Sequence, residues 1–464
     1  MSELDWPLLV GLLTLLALAG RARPEALIAG AFVFFTIVWR MLAATVVDGS
    51  GPFWSSQLER YIGGDGGGAV YLFAWALTGL LVILPFAASG APVSALAPAR
   101  VTRGATLGDL AFWAAFLFLV ALYGDMLQRG TIPLFEGMER YDYARNVAGP
   151  LHLWLFEYGG VVAFALGMFC VLGARMEARL DLRFIGLIGM LYVYAFLTGH
   201  RLSAFYVFFA YFLMPFSAIP LSARLGCPIA SRLPARQLKL LSWPALAVAA
   251  CAAATLVAVA LLNSYLTVRA ADEDAISKVI ERIAVQPVEI WWPTWERTFT
   301  RAEDDQQLAL RAMFEDPIDN TRNTGIQYLM WMLLGDSRTR ELILTQGVMF
   351  AGGYPEVLFE IFGPHLGWAA LVGLSLLYGL ALRQIAYAVL RGQVLTALSG
   401  TYMLFTAGLL FIGGMLNWLV AWTFWLKFAT FLGAVMIETW WLARFGAPLI
   451  PWTFSRRSVA AGAR

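Results

Sequence analysis

TLGDLAFWAAFLFLVALYGD, residues 106–125, carries two acids in twenty positions and is otherwise almost wholly apolar. A helix of that length rises ~30 Å, which matches the hydrocarbon core of a bilayer. The apolar residues are continuous, so the short alternating strands of a membrane barrel are excluded. Runs of the same kind, rich in Leu, Ala, Phe and Gly, recur from Leu8 to Trp441. The whole composition agrees. Of 464 residues 60% are hydrophobic and 14% charged, with a mean hydropathy of +0.68. A soluble domain carries roughly 25% charged residues. The fold class is therefore all-α and polytopic in a membrane.

We place spans at 6–20, 24–47, 66–88, 106–125, 151–173, 184–199, 204–221, 243–266, 364–382, 394–415 and 418–441. That is about eleven, with boundaries uncertain by a few residues. Basic residues then fall in alternate loops: Arg21 and Arg23; Arg100 and Arg103; Arg175, Arg179 and Arg183; Arg224, Arg232, Arg236 and Lys239; Arg383 and Arg391; Arg456 and Arg457. Positive loops stay in the cytoplasm, which puts the N-terminus outside and the C-terminus inside. The division is an N-terminal bundle over 1–266, a large outer helical segment over 267–354, a C-terminal bundle over 355–443 and a cytoplasmic tail over 444–464. No cleavable leader is expected, because the first residues are acidic and lead directly into a span.

Several function classes drop out. A net charge of +2 without a basic tail gives nucleic acid no footing. Cys170, Cys227 and Cys251 lack metal-ligand spacing, and no HExxH, Walker loop or GxSxG is present. No internal repeat of the transporter kind is found.

Charges at the membrane edge are costly and mark function. Here they gather on the outer side: Arg40 in IVWRML, Glu157 in LWLFEYGG, His200 and Arg201 in LTGHRLSAF, Arg269, and Glu356, Glu360 and His365 in YPEVLFEIFGPHLGW. The loop QRGTIPLFEGMERYDYARN adds Arg129, Glu136, Arg140, Asp142 and Arg145, interleaved with Tyr141 and Tyr143. Guanidinium forks match phosphate oxygens and stay charged. Carboxylates or a histidine beside them would deprotonate a hydroxyl, and tyrosines such as Tyr141 and Tyr354 would stack on sugar. Plainer alternatives stand beside these. Arg40 snorkels to the interface, Glu157 hydrogen-bonds inside the bundle, and Arg140 with Glu136 or Arg145 with Asp142 form surface pairs. Trp291, Trp292 and Trp295 suit an interfacial belt, with sugar stacking as the alternative. Asp109, Lys427 and Glu438 read as structural, with Glu438 close enough to the cytoplasmic end to reach water.

LTGHRLSAFYVFFAYFL, 197–213, resembles the glycine-x-arginine element that opens a membrane helix in Wzy-type O-antigen and exopolysaccharide repeat-unit polymerases. FAGGYPEVLFEIFGPHLGWAALVGLSLLYGLAL, 350–382, is similar to the segment after the large periplasmic loop of that family, and RGTIPLFEGMERYDYARNVAGPLH, 129–152, resembles its early loop. One departure is that the Arg-x10-Gly pattern of some members, counted from Arg145, ends on Phe156.

The resemblance implies a GT-C-like, metal-independent inverting glycosyltransferase in the bacterial inner membrane, acting at its periplasmic face without a cofactor. Its substrates would be undecaprenyl-diphosphate-linked oligosaccharides within membrane lipid, with a chain-length regulator protein as a candidate partner. Arg201, helped by Arg40, Arg140, Arg145 or Arg269, would hold the diphosphate. Glu360, Glu136 and His200 compete as base, and Tyr141, Tyr354, Glu356 and His365 would contact glycan. An O-antigen ligase or another lipid-linked-sugar glycosyltransferase is the alternative enzyme. A lipid-linked oligosaccharide flippase is the alternative class.

Overall fold

A computed structural model describes residues 5–64, 67–88, 106–138, 140–200, 202–234, 237, 280–301, 324–345, 350, 352–408 and 410–452. The span expected at 243–266, Arg201 and Arg269 lie outside these residues. The chain is an all-α polytopic membrane protein. Among the described residues eight helices are long and apolar enough to cross a bilayer: Asp5–Ala22, Ala31–Ser50, Gly68–Ala87, Leu107–Glu136, Pro150–Glu177, Ala204–Arg224, Glu356–Arg391 and Trp422–Phe445. Arg183–Leu197 and Val394–Thr406, both expected as spans, are shorter apolar helices. Among the described residues the strands are Phe53–Ser55 and Arg60–Ile62, an antiparallel hairpin.

Two compact units form, neither contiguous in sequence. The first takes Met1–Ala88, Ile276–Leu382 and Met403–Ala429. In it the helix Ala31–Ser50 packs against Gly67–Leu80 and Asp5–Ala22. Trp75, Trp291, Tyr354 and Phe359 form its buried aromatic centre. Trp291 donates its indole N–H to the Gly68 carbonyl at 2.7 Å. The expected interfacial belt is therefore corrected: Trp291 and Trp292 are core residues, and their neighbours are protein rather than headgroups. The apolar stretch after Glu356 breaks at Gly363, because Pro364 has no N–H to continue the ladder.

The hairpin is clamped to residues 281–296 by side chains. Ser56 donates to Glu281 through its hydroxyl at 2.6 Å, and Arg60 pairs with Glu296 at 3.0 Å. Ser55 is fully buried, donates to Glu289 Oε2 at 2.7 Å and accepts the Leu58 N–H. Glu289 is fully buried too, and its Oε1 has no partner among the described residues.

The second unit takes Ser89–Ala275, Arg383–Tyr402 and Thr430–Arg464. Its axis is the helix Pro150–Glu177, against which Leu202–Leu213, Arg183–Leu197 and Leu107–Gln128 pack. Thr106 and Asp109 close the start of the Leu107–Gln128 helix as a reciprocal capping box. Glu438 does not reach water as expected. It is buried and accepts the backbone N–H groups of Leu395 and Thr396, satisfying the start of the earlier helix Val394–Gly408.

Burial pushes the Glu289 carboxyl up to about 8, with Glu281 adding repulsion and the Ser55 hydroxyl opposing. The folded chain then holds a proton that the unfolded chain releases. Stability contributed by this group is full below the ordinary carboxylate range and falls as pH rises from about 4.5 to about 8. Each pH unit in that window removes at most about 1.4 kcal/mol. Glu289→Gln keeps an amide where the protonated acid sits. Its melting temperature in detergent should match the parent at pH 5 and exceed it at pH 8.5. Parallel melting curves at both pH values would contradict this.

Candidate functional site

The second unit gathers His200 and its neighbours at the turn after Arg183–Leu197. Thr198 caps this helix, and Gly199 follows with φ +71°. That left-handed conformation strains any residue with a Cβ. The Gly199 N–H reaches the Phe196 carbonyl at 3.1 Å and the His200 N–H reaches Ala195 at 2.9 Å. These paired bonds are the Schellman arrangement, which satisfies the last carbonyls of a helix. The sequence Thr-Gly-His thus fixes where the His200 backbone leaves the helix, with the ring packed against the helix it terminates.

The ring is nearly buried. Its Nδ1 lies 2.9 Å from Thr198 Oγ1, and the Thr198 hydroxyl back-bonds to the Tyr194 carbonyl at 2.9 Å. A second histidine stands 5.8 Å away, centroid to centroid: His152, fully buried, with Nδ1 2.9 Å from the Tyr194 hydroxyl. Tyr143 packs edge-on to His152 at 5.0 Å. Burial, then Arg140, then His152 hold His200 down at about 3, so its imidazole is neutral at any working pH. Burial also pushes the Tyr143 phenol above its ordinary range. His152 Nε2 and the Tyr143 hydroxyl are buried without a partner among the described residues.

The loop helix Arg140–Asn146 brings Arg140 to this turn. A Cβ built on Gly199 would sit 3.9 Å from both the Arg140 backbone nitrogen and its Cβ. The guanidinium lies 6.0 Å from the Phe156 ring, the ring that also stands 5.4 Å from His200. Arg145 is exposed, as is Asp142. Glu136 is exposed and caps its own short helix by accepting the Ile132 N–H. Glu157 lies on the exposed face of its helix. Tyr141 lies on the helix Arg140–Asn146, but its side chain is outside the described residues, as are Arg201 and Arg269.

The first unit uses its charges differently. Arg40 is buried and forms an ion pair with Glu356, also buried, while donating to the Tyr354 carbonyl. Its guanidinium lies 5.3 Å over the Trp75 ring. Tyr354 is buried between Trp75 and Phe411. These three residues therefore hold the segment Gly352–Glu356 in place, and their charges and ring are spent within the protein. A Cβ on Gly353 would run into the Gly413 carbonyl, so the segment packs backbone against backbone there. Glu360 is paired with Arg297 at 3.4 Å. His365 is exposed.

Thr198, Tyr194, Trp75 and Arg297 were not among the residues singled out in the sequence. Thr198 had a signal: Thr-Gly after an apolar helix is a C-cap, and a hydroxyl two residues before a histidine lies within its reach. Tyr194, one turn before Thr198, follows from the same spacing. Arg297 and Trp75 join partners far away in sequence and had none. Among the described residues no group of three His, Cys, Asp or Glu converges on one point.

Residues 319–431 are similar to a family described as "Family of unknown function (DUF6418)". That stretch contains Tyr354, Glu356, Glu360 and His365 and none of the cluster around His200. No curated protein and no solved structure matches the chain.

Removing one member of a buried ion pair strands the other, whereas replacing both with apolar residues does not. Arg40→Met should therefore cost about 3–5 kcal/mol. Arg40→Met combined with Glu356→Leu should recover most of that loss. Denaturation midpoints of the single and double variants in detergent decide this, and a double variant no more stable than the single would refute the pairing.

Proposed function

We propose that the chain is a polysaccharide polymerase of the bacterial inner membrane. It would transfer a growing glycan from undecaprenyl diphosphate to the non-reducing end of a second lipid-linked repeat unit, at the periplasmic face. The observation that carries this reading is the meeting of Arg140, from the 129–149 loop, with the Gly199–His200 turn. Two of the three segments that resemble Wzy-type polymerases thus come together within one unit. The Arg140 guanidinium and the His200 imidazole both lie near the Phe156 ring, 6.0 Å and 5.4 Å from its centroid. That pairing suits a reaction in which a diphosphate leaves and a hydroxyl attacks.

In this reading Arg140 and Arg201, the residue after His200, hold the donor diphosphate. Guanidinium groups gain most where negative charge grows, here on the bridging oxygen as the glycosidic bond breaks. Arg145, exposed on the same short helix, extends the positive surface toward incoming donor. The acceptor hydroxyl loses its proton to a base and attacks the anomeric carbon from the opposite side, which inverts it. Arg40, Tyr354 and Glu356 hold the Gly352–Glu356 segment and take no part in binding. The 267–354 segment would guide the glycan.

Reconstitution tests this directly. Proteoliposomes containing the protein and lipid-linked repeat units should produce a ladder of longer glycans without any ion gradient. Arg201→Ala and Arg140→Ala should each cut the rate on the order of 100-fold, as loss of one stabilising donor does elsewhere. Both variants should still insert in the membrane. Wild-type vesicles that carry intact lipid-linked units across the bilayer and never lengthen them would replace the polymerase with a carrier.

A further inference from the structure

We propose that His200 is the base that deprotonates the acceptor hydroxyl, held by Thr198 in the tautomer that leaves Nε2 free to accept a proton. This rests on the polymerase reading above and deepens it.

The argument starts from the donor and acceptor inventory. A threonine hydroxyl has one hydrogen, a carbonyl only accepts, and a neutral imidazole has one N–H and one lone pair. Thr198 Oγ1 lies 2.9 Å from the Tyr194 carbonyl and 3.3 Å from the Ala195 carbonyl. Its single hydrogen is committed to that side. Towards His200 Nδ1, at 2.9 Å, the same oxygen is therefore an acceptor, and Nδ1 carries the hydrogen. The lone pair is left on Nε2. Thr198 is thus a positioning residue, acting on the reaction only through His200. Its own orientation is set by the helix end, so the base is aimed by backbone rather than by a flexible partner.

A base must also be uncharged before it acts. The groups facing His200 are Arg140 from the loop helix, His152 from Pro150–Glu177 and Thr198 from its own helix, with the Tyr194 hydroxyl bonded to His152. The Asp125–Arg129 pair, at 3.1 Å, sits beyond His152. Arg140 opposes protonation of the imidazole. A diphosphate docked on Arg140 cancels that opposition, so the ring becomes more basic when donor is present. The proton then moves from the acceptor oxygen to Nε2, the oxygen bonds to the anomeric carbon, and the electron pair of the broken bond leaves with the diphosphate. The buried His152 Nε2 and Tyr143 hydroxyl, both without partners among the described residues, are polar groups that an entering sugar would satisfy.

The chain has three histidines, so labelling with 15N-histidine gives three ring systems, and His200→Gln assigns one of them. At pH 6 to 8 the His200 ring should be neutral with its hydrogen on Nδ1. Inorganic diphosphate should raise its titration midpoint. In the reconstituted reaction Thr198→Val should lower kcat at least tenfold with KM for the lipid-linked donor unchanged, and Thr198→Ser should restore it. His200→Gln should lengthen no glycan. A hydrogen on Nε2, a charged ring at pH 6, or Thr198→Val turning over like the parent would each overturn the assignment. His200→Gln with parental turnover would remove the base and leave the polymerase standing. A parent protein that never lengthens glycan would overturn both.

Discussion

Hydrocarbon offers no hydrogen-bond partners, so in a membrane bundle the expensive places are helix ends, where backbone groups have lost their ladder. At a few of the described helix ends this chain supplies a side chain or a turn. Thr106 and Asp109 close one start reciprocally. Glu438, from a helix more than forty residues later, closes another by accepting two backbone N–H groups. Arg40 takes the Tyr354 carbonyl where the chain is about to enter the helix beginning at Glu356. At Thr198–His200 the chain does the same with a hydroxyl and a glycine turn.

The same requirement separates holding charges from working charges. A buried charge is tolerated when it is paired and hydrogen-bonded. Arg40 meets that condition fully, with a carboxylate, a carbonyl and the face of Trp75 around it. It is an anchor for the glycine-rich Gly352–Gly353 backbone, which approaches Gly413 too closely for any side chain. Arg140 is half-buried beside an aromatic ring and a neutral histidine.

Length and hydropathy made the fold class legible, because spanning a bilayer demands long apolar helices and nothing else explains them. The shorter helices Arg183–Leu197 and Val394–Thr406 were found in place, but hydropathy does not reveal where a helix stops short. Trp291 and Trp292 misled because tryptophan suits both an interface and a core. Only the Gly68 carbonyl, more than two hundred residues away, decides between them. Glu356 and Arg40 were legible as costly charges, yet their pairing joins positions 316 apart and no local spacing announces it. The His200 turn is the opposite case. Thr198, Gly199 and His200 are contiguous, and the geometry of a helix end was written in three adjacent letters.

On the proposed polymerase reading, that contiguity would have a functional consequence. A catalytic group assembled from distant segments shifts whenever those segments shift. His200 instead takes its backbone position from the helix it terminates and its ring orientation from Thr198 in the same turn. The imidazole therefore moves with one rigid helix of fifteen residues, Arg183–Leu197. Arg140 comes from a separate short helix, Arg140–Asn146. Precision of about half an ångström matters most at the atom that takes a proton, and binding a large, variable glycan donor needs compliance. On the proposed polymerase reading, the helix-end turn would carry the first task and the loop helix the second.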